Sequence, residues 1–270
     1  AARRRALWGG LGIFALAILV AGWVSEIDLA KLAANFHNLP NYVVRIFHLD
    51  SGAIVFSDPV EWFWGLGKWL WHIGDTLLIA YLGTLLGAVG AFVLAFSAAA
   101  NLARHPAERF FARRLLEFCR TVPELVFALI FVVAFGLGPV PGVLALAIHT
   151  FGALGKLFAE VVENIDMKPV EGIIAGGATR WQAIRFAVVP QVLANFASYG
   201  LLRFEINVRG ASVMGFVGAG GIGQELIEAV RKFYYSDVSA ILVLIILTVI
   251  AIDVGTERIR RRLLAMERAR

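Results

Sequence analysis

The sequence predicts an all-α membrane protein of about six transmembrane helices forming one bundle. Three observations carry this. Hydrophobic residues make up 59% of the 270 and charged residues only 17%, whereas soluble domains average roughly 45–50% apolar and about 25% charged. Mean hydropathy is +0.76. Apolar runs recur along the chain at close to the roughly 20 residues that cross a hydrocarbon core about 30 Å thick. The excess is too large for a water-exposed surface, and the lipid bilayer is the expected partner. A net charge of +5 and a pI near 9.7 would point to nucleic acid in a soluble protein. Here topology explains the basic residues, and no nucleic-acid partner is expected.

The first span runs from Leu7 to Val24 behind Arg3, Arg4 and Arg5. A basic start before a short apolar run also fits a signal peptide, but no small-residue cleavage site is clear after Val24, so a retained helix is expected. Residues 25–67 are mixed, and Trp62, Trp64, Trp69 and Trp71 cluster near their end. Tryptophan favours the membrane–water interface, which predicts an extracytoplasmic loop with a surface-lying segment. The second span covers about His72 to Ala100, followed by a stretch carrying Arg104, Arg109, Arg113, Arg114 and Arg120. The third runs from about Val122 to Gly136. Gly136-Leu137-Gly138-Pro139-Val140-Pro141-Gly142 ends it, because Pro and Gly interrupt helices. The fourth runs from Val143 to about Val162, and a moderately polar segment fills 163–187. The fifth covers Val188 to about Ser212, then a glycine-rich loop and short helix occupy 213–235. The sixth spans Asp237 to Val254. The expected units are therefore 1–71, a first helix with its loop; 72–258, the main membrane domain; and 259–270, a basic tail.

Orientation follows from Lys and Arg placement. Six spans put both termini on one side. That side holds Arg3–Arg5, the five arginines of 104–120, Lys168, Arg180, Arg185 and the tail residues Arg258, Arg260, Arg261, Arg262, Arg268 and Arg270. The other side holds only Lys31, Arg45, Lys68, Arg231 and Lys232. Both termini are expected in the cytoplasm, and 163–187 becomes a cytoplasmic loop.

That loop reads ENIDMKPVEGIIAGGATRWQAIRFAVVP over 163–190. Pro169 suits a first helical turn, with Val170, Ile173 and Ile174 as an apolar stripe. Gly176 and Gly177 break it. Thr179 can cap a second helix running through Trp181, Ile184 and Val188 to Pro190. A surface helix–turn–helix with an apolar face and basic residues suits docking to a cytoplasmic partner.

The spacing in this loop resembles the cytoplasmic signature of ABC importer permeases: Glu-Ala-Ala, three residues, Gly, nine residues, Ile-x-Leu-Pro. The chain places Glu171-Gly172-Ile173, three residues, Gly177, nine residues, then Ala187-Val188-Val189-Pro190. Glu, Gly and Pro fit with no gap, while Gly172, Ile173, Ala187 and Val189 depart from the family's residues. A second resemblance narrows the group. The stretches from Val208 through Gly218, Gly220 and Gly221 to Leu226, and from Arg120 through Pro123 to Ala128, look like phosphonate importer permeases. The resemblance runs from about Thr76 to Arg258.

It implies a type I importer bundle working by alternating access, in which 163–190 couples to an ATPase subunit through Glu171, Gly172, Ile173, Gly177, Thr179, Trp181 and Pro190. It implies import of phosphonates or a related phosphorus oxyanion such as phosphite or phosphate across a bacterial inner membrane. It also implies two ATPase copies, an extracytoplasmic binding protein and a second permease chain, most simply an identical one. ATP and Mg would bind on the ATPase, with no cofactor in this chain. Permeases for methionine and quaternary amines share a similar glycine-rich loop.

Lys156, Arg203, Glu205 and Arg209 fall within or near spans four and five. A charge at membrane depth costs roughly 2.5–3.5 kcal/mol on insertion scales and persists when paired or facing water. Glu205 and Arg209 are four apart and share a helix face, as do Lys156 and Glu160. Arg209 is the candidate to line the path and offset an anion's charge, with Glu205, Ser212, Met214, Gly218, Gly220 and Gly221 around it at the path or gate.

Several chemistries are not expected. Gly218 to Gly223 fits G-x-G-x-x-G with Asp237 beyond, yet no βαβ unit surrounds it, and the glycines better serve a tight turn and close helix packing. The chain lacks G-x-x-x-x-G-K-[ST], H-E-x-x-H and G-x-S-x-G, so neither an ATP site nor an intramembrane enzyme is expected. His72, His105 and His149 are scattered, without metal-site spacing. Cys119 is the single cysteine and excludes an intrachain disulfide.

Overall fold

The computed structural model describes residues 2–26, 28–49 and 51–268. Arg270, counted with the basic tail, lies outside the described residues, as do the side chains of Arg5 and Arg268. Every regular element described is helical. The one departure is an isolated bridge between His48 and Ile54.

Helix α1 (Ala2–Val24) is apolar on all sides over Leu7–Val24, and no residue of that stretch is buried. A helix hydrophobic all round has no water-compatible face, so lipid is its surrounding. Helices α2 (Leu29–Asn35), α3 (Asn38–Ile46) and α4 (Pro59–Trp62) form a shelf of short helices in the stretch expected to be a loop with a surface-lying segment. Two of the shelf tryptophans make hydrogen bonds to the last helix. Trp62 Nε1 donates to Ser239 Oγ at 3.0 Å and Trp64 Nε1 to Asp237 Oδ1 at 2.8 Å, latching the shelf to the start of the last helix.

Helix α5 (Leu66–Ala98) takes Trp69 and Trp71 into its first turns. Helix α6 (Pro106–Thr121) is amphipathic, and α7 (Glu124–Phe135) is apolar but only 12 residues long. At about 1.5 Å per residue α7 reaches roughly 18 Å, short of a crossing. The expected third span is thus the outer half of a broken unit, because α6 and α7 meet at 83° across Val122-Pro123. Proline pushes the residue before it out of the helical region, and Val122 is accordingly extended (ψ 123°).

Helix α8 (Pro139–Glu163) begins four residues before the expected start. Pro139 and Pro141 fall in its first turn, where the missing N–H groups would be unpaired anyway. Helices α9 (Lys168–Ala175) and α10 (Arg180–Ala183) form the elbow. Helix α11 (Val189–Met214) follows, then α12 (Ile222–Arg231) and α13 (Tyr235–Arg268). The expected tail continues the last helix instead, aided by the Glu257–Arg261 pair one turn apart at 2.5 Å.

Among the described residues four helices are long and apolar enough to cross a membrane alone, and the bent α6–α7 pair makes five. Helix α11 has the length, at 26 residues. Its Arg203, Glu205 and Arg209 keep it out of a count based on apolarity.

Packing is by small residues, since lipid removes the hydrophobic drive between helices. A Cβ added at Gly87 of α5 would come within 2.7 Å of the Ala147 carbonyl on α8, and one at Gly83 within 2.6 Å of Leu146 Cβ. Three apolar layers stack along the bundle. At the elbow end Phe158 and Phe196 stack at 3.9 Å. Ile79, Leu146, Val208 and Met214 fill the middle. Trp69, Ile73, Ile222 and Ile241 fill the opposite end.

Candidate functional site

The elbow is built by local punctuation. Pro169 sits in the first turn of α9, and Asp166 Oδ1 accepts the Lys168 N–H at 3.0 Å. The helix stops in a Schellman arrangement: the Gly177 N–H reaches the Ile174 carbonyl at 2.9 Å and the Ala178 N–H the Ile173 carbonyl at 3.3 Å. That closure needs a left-handed residue after the cap, and Gly177 supplies it at φ 87°. A capping box between Thr179 and Gln182 opens α10, with Gln182 Oε1 accepting the Thr179 N–H at 2.8 Å.

Beyond α10, Ile184–Val188 forms a π turn in which the Val189 N–H bonds the Ile184 carbonyl. Pro190 explains it. An α-helix through Pro190 would drive the ring against the carbonyl four residues earlier and leave it unpaired, and a widened turn relieves this. α10, the π turn and α11 follow one another without an intervening loop.

The elbow is fastened to the bundle. Val170, Ala183, Ile184, Ala187 and Val188 are buried in the apolar layer with Phe96, Phe158 and Phe196. Arg180 Nη1 and Nη2 both lie 3.4 Å from Glu108 Oε1 on α6, and Nη2 is 3.4 Å from the Phe96 carbonyl. Gln191 clips entry to exit by accepting the Asp166 N–H at 3.1 Å and donating to the Asp166 carbonyl at 3.2 Å. Nearby, Glu163 gathers Arg113 and the Ala100 N–H, each at 2.6 Å. The expected stripe is only partly inward. Ile174 and Trp181 point outward, 51% and 63% exposed, as do Glu171 and Gly172. The elbow therefore presents an acidic group and two large apolar side chains on a fixed frame.

The membrane charges are arranged differently from the helix-face expectation. Glu205 is buried and accepts a hydrogen bond from the Thr256 hydroxyl on α13. Arg209 Nη2 lies 3.3 and 3.5 Å from the two carboxylate oxygens of Asp253, also on α13. Two interhelical contacts replace the pair within α11, from residues 44 and 51 positions away. Lys156 and Glu160 do pair, at 3.6 Å. Arg209 lines a cleft with Glu124, Leu125, Ile206, Gly210 and Val213. Ser212 and Met214 lie in the core of this chain, the Ser212 hydroxyl donating to the Val208 carbonyl at 2.9 Å.

The glycine loop packs against α5 and α8. Gly218, Gly220 and Gly221 all have φ between 80° and 87°. The Gly138 N–H meets the Gly218 carbonyl at 2.9 Å, and the Thr76 hydroxyl accepts the Ile222 N–H at 2.8 Å. No group of three or more His, Cys, Asp or Glu suits a metal among the described residues.

A multi-pass helical bundle with charges held at membrane depth and a rigidly fastened elbow at one end is the build of a transport permease. Comparison with known proteins gives the family. The chain belongs to the binding-protein-dependent transport system inner membrane components, whose family profile matches residues 91–265. It is 39% identical over 258 residues to the phosphite transport system permease protein PtxC of Stutzerimonas stutzeri, covering 94% of this chain and 90% of that one. It is 43% identical over 195 residues to the phosphate-import permease protein PhnE of Mycolicibacterium smegmatis, covering 72% of this chain and 37% of that one. Among solved structures, a chain of the inward-facing MetNI methionine ABC transporter superposes with a TM-score of 0.63 at 19% identity. That likeness covers 76% of this chain and 98% of the other, and it establishes the type I importer permease fold. The chain is a multi-pass inner-membrane transport component.

Proposed function

We propose that the chain is the permease half of an ATP-driven importer that carries a phosphonate, or a related phosphorus oxyanion such as phosphite or phosphate, by alternating access. The observation carrying this is the elbow: an exposed Glu171, Ile174 and Trp181 on a frame tied to α6, α8 and α11. A partner that moves the elbow moves those helices with it. ATP and Mg bind on two copies of a partner ATPase at the elbow. A binding protein delivers substrate at the glycine-loop end, and a second copy of this chain completes the path. Both termini and the elbow lie in the cytoplasm, as the Lys and Arg placement favours. The relatives' names support the substrate class.

Arg209 lines the path in this reading, and the passing anion exchanges with Asp253 for its guanidinium. The test is reconstitution in proteoliposomes with the partner ATPase and binding protein, followed by ATP-dependent uptake of labelled phosphite and a phosphonate. Uptake of neither, or uptake indifferent to ATP, overturns the reading. The chain alone is expected to hydrolyse ATP no faster than a mock preparation. Arg209→Gln should lower uptake roughly tenfold, the equivalent of about 1.5 kcal/mol from one lost charge-assisted hydrogen bond. Complex assembly and binding-protein docking should be unchanged. Normal uptake by that variant would remove Arg209 from the path.

A further inference from the structure

Arg203 plays no part in the reading above, and its surroundings leave it short of a partner. It precedes Arg209 by six residues on α11, so it lies roughly 9 Å nearer the elbow. Its spacing to Ile206, Gly210 and Val213 is three, seven and ten residues, which places it on the same side of α11 as those three, one turn from the cleft they line with Glu124. Arg203 Nε is 3.4 Å from Thr150 Oγ1, and Nη2 is 3.1 Å from His149 Nδ1. The same Nδ1 is 2.9 Å from Glu124 Oε2.

That convergence cannot be satisfied. His149 Nε2 lies 3.1 Å from the Arg120 carbonyl, which only accepts, so Nε2 carries a proton. Nδ1 then has two options. It accepts from Arg203, leaving Glu124 facing a lone pair, or it is protonated and donates to Glu124, leaving Arg203 facing another donor. One nitrogen serves one neighbour, and the other is left without it.

Behind the triad the wall is polar and fixed. Asn207, 1% exposed, donates from Nδ2 to Thr84 Oγ1 and Thr150 Oγ1 at 2.8 Å each. Its Oδ1 has no partner among the described residues. Arg209 has a carboxylate directly against it, whereas Arg203 reaches one only through a shared ring nitrogen.

We propose that Arg203, with Thr150 beside it, is a mid-membrane station that holds a tetrahedral phosphorus oxyanion during passage. Glu124 serves as the resident carboxylate when the station is empty. The proposal rests on the reading that this chain conducts such an anion. A guanidinium offers a planar fork of N–H donors matched to two oxygens of an oxyanion, which a single point charge does not. The anion arriving at Arg203 supplies the negative partner that His149 withholds.

The test uses the reconstituted complex, with phosphite as the probe and phosphite delivered per ATP hydrolysed as the readout. Arg203→Gln should lower that ratio roughly tenfold, and Arg203→Lys, which keeps charge but loses the fork, should fall between it and wild type. A ratio unchanged in Arg203→Gln overturns the station. So do uptake and hydrolysis that fall in proportion in both variants, as a packing role gives. Wild-type vesicles that hydrolyse ATP yet take up no phosphorus oxyanion would overturn the underlying reading and the station together. Normal wild-type uptake beside an indifferent Arg203→Gln removes the station alone.

Discussion

Gly177→Val is expected to abolish most ATP-driven uptake while the chain still inserts in the membrane. Gly177 closes α9 with φ 87°, and nothing lies within 4 Å of where its Cβ would stand. The substitution therefore adds no clash, and its whole effect is on the backbone. A left-handed conformation costs an L-residue roughly 1–2 kcal/mol, more when the side chain is β-branched. That shifts the population of the bent elbow about 5–30-fold. Losing the bend separates α9 from α10 and disrupts the outward frame carrying Glu171 and Trp181. Gly177→Asn is the control, because Asn tolerates the left-handed region and should keep most of the activity. Uptake and membrane abundance measured side by side decide the matter. Equal uptake by the valine and asparagine variants would show that the turn's geometry is not what the transport cycle uses.

Gly152→Ala should be strongly disruptive at the contact between α6 and α8. A Cβ there would lie 2.5 Å from the Arg120 backbone nitrogen and 2.6 Å from the Leu116 carbonyl. Backbone cannot rotate aside as a side chain can, so α6 and α8 would have to part. Overpacking of this kind costs about 1–3 kcal/mol. Gly200→Ala on α11 meets nothing within 4 Å. There the gain in helix propensity should stabilise by about 0.5–1 kcal/mol. Opposite signs are thus expected from one chemical change. Thermal midpoints of the detergent-purified variants test this, and a Gly152→Ala midpoint at or above wild type would contradict the α6–α8 contact. Gly155→Ala should be milder, since its nearest neighbour is the flexible end of Leu116.

The elbow was legible in the sequence because its signals are local. Pro169, Gly177, Thr179 and Pro190 each act within a few residues, and each structural role follows from its own backbone chemistry. The broken α6–α7 unit was harder to read. The apolar run from Val122 onward reads as a span, and only Pro123 marks that it starts at a sharp bend. Helix α11 tests apolarity in the other direction: its charges look unlike a membrane helix until their partners on neighbouring helices are known. Those partners were not legible. Asp253 lies 44 residues from Arg209, and Glu124, His149 and Arg203 come from three different helices. No periodicity links such positions, because only packing brings them together. The same holds for Trp62 and Trp64, whose hold on Ser239 and Asp237 no local pattern announces.

The widened turn at Ile184–Val188 sets an angular phase. Each residue of an α-helix advances about 100°, so one surplus residue in that turn fixes which compass bearing every later side chain takes. The bearing reached by Arg203 and Arg209 is thus decided some twenty residues upstream, beside the elbow. α10, the π turn and α11 run on without an intervening loop, so a displacement of the elbow is carried towards the arginines by continuous helix. In that sense Pro190 works as a keyway, locking shaft to crank.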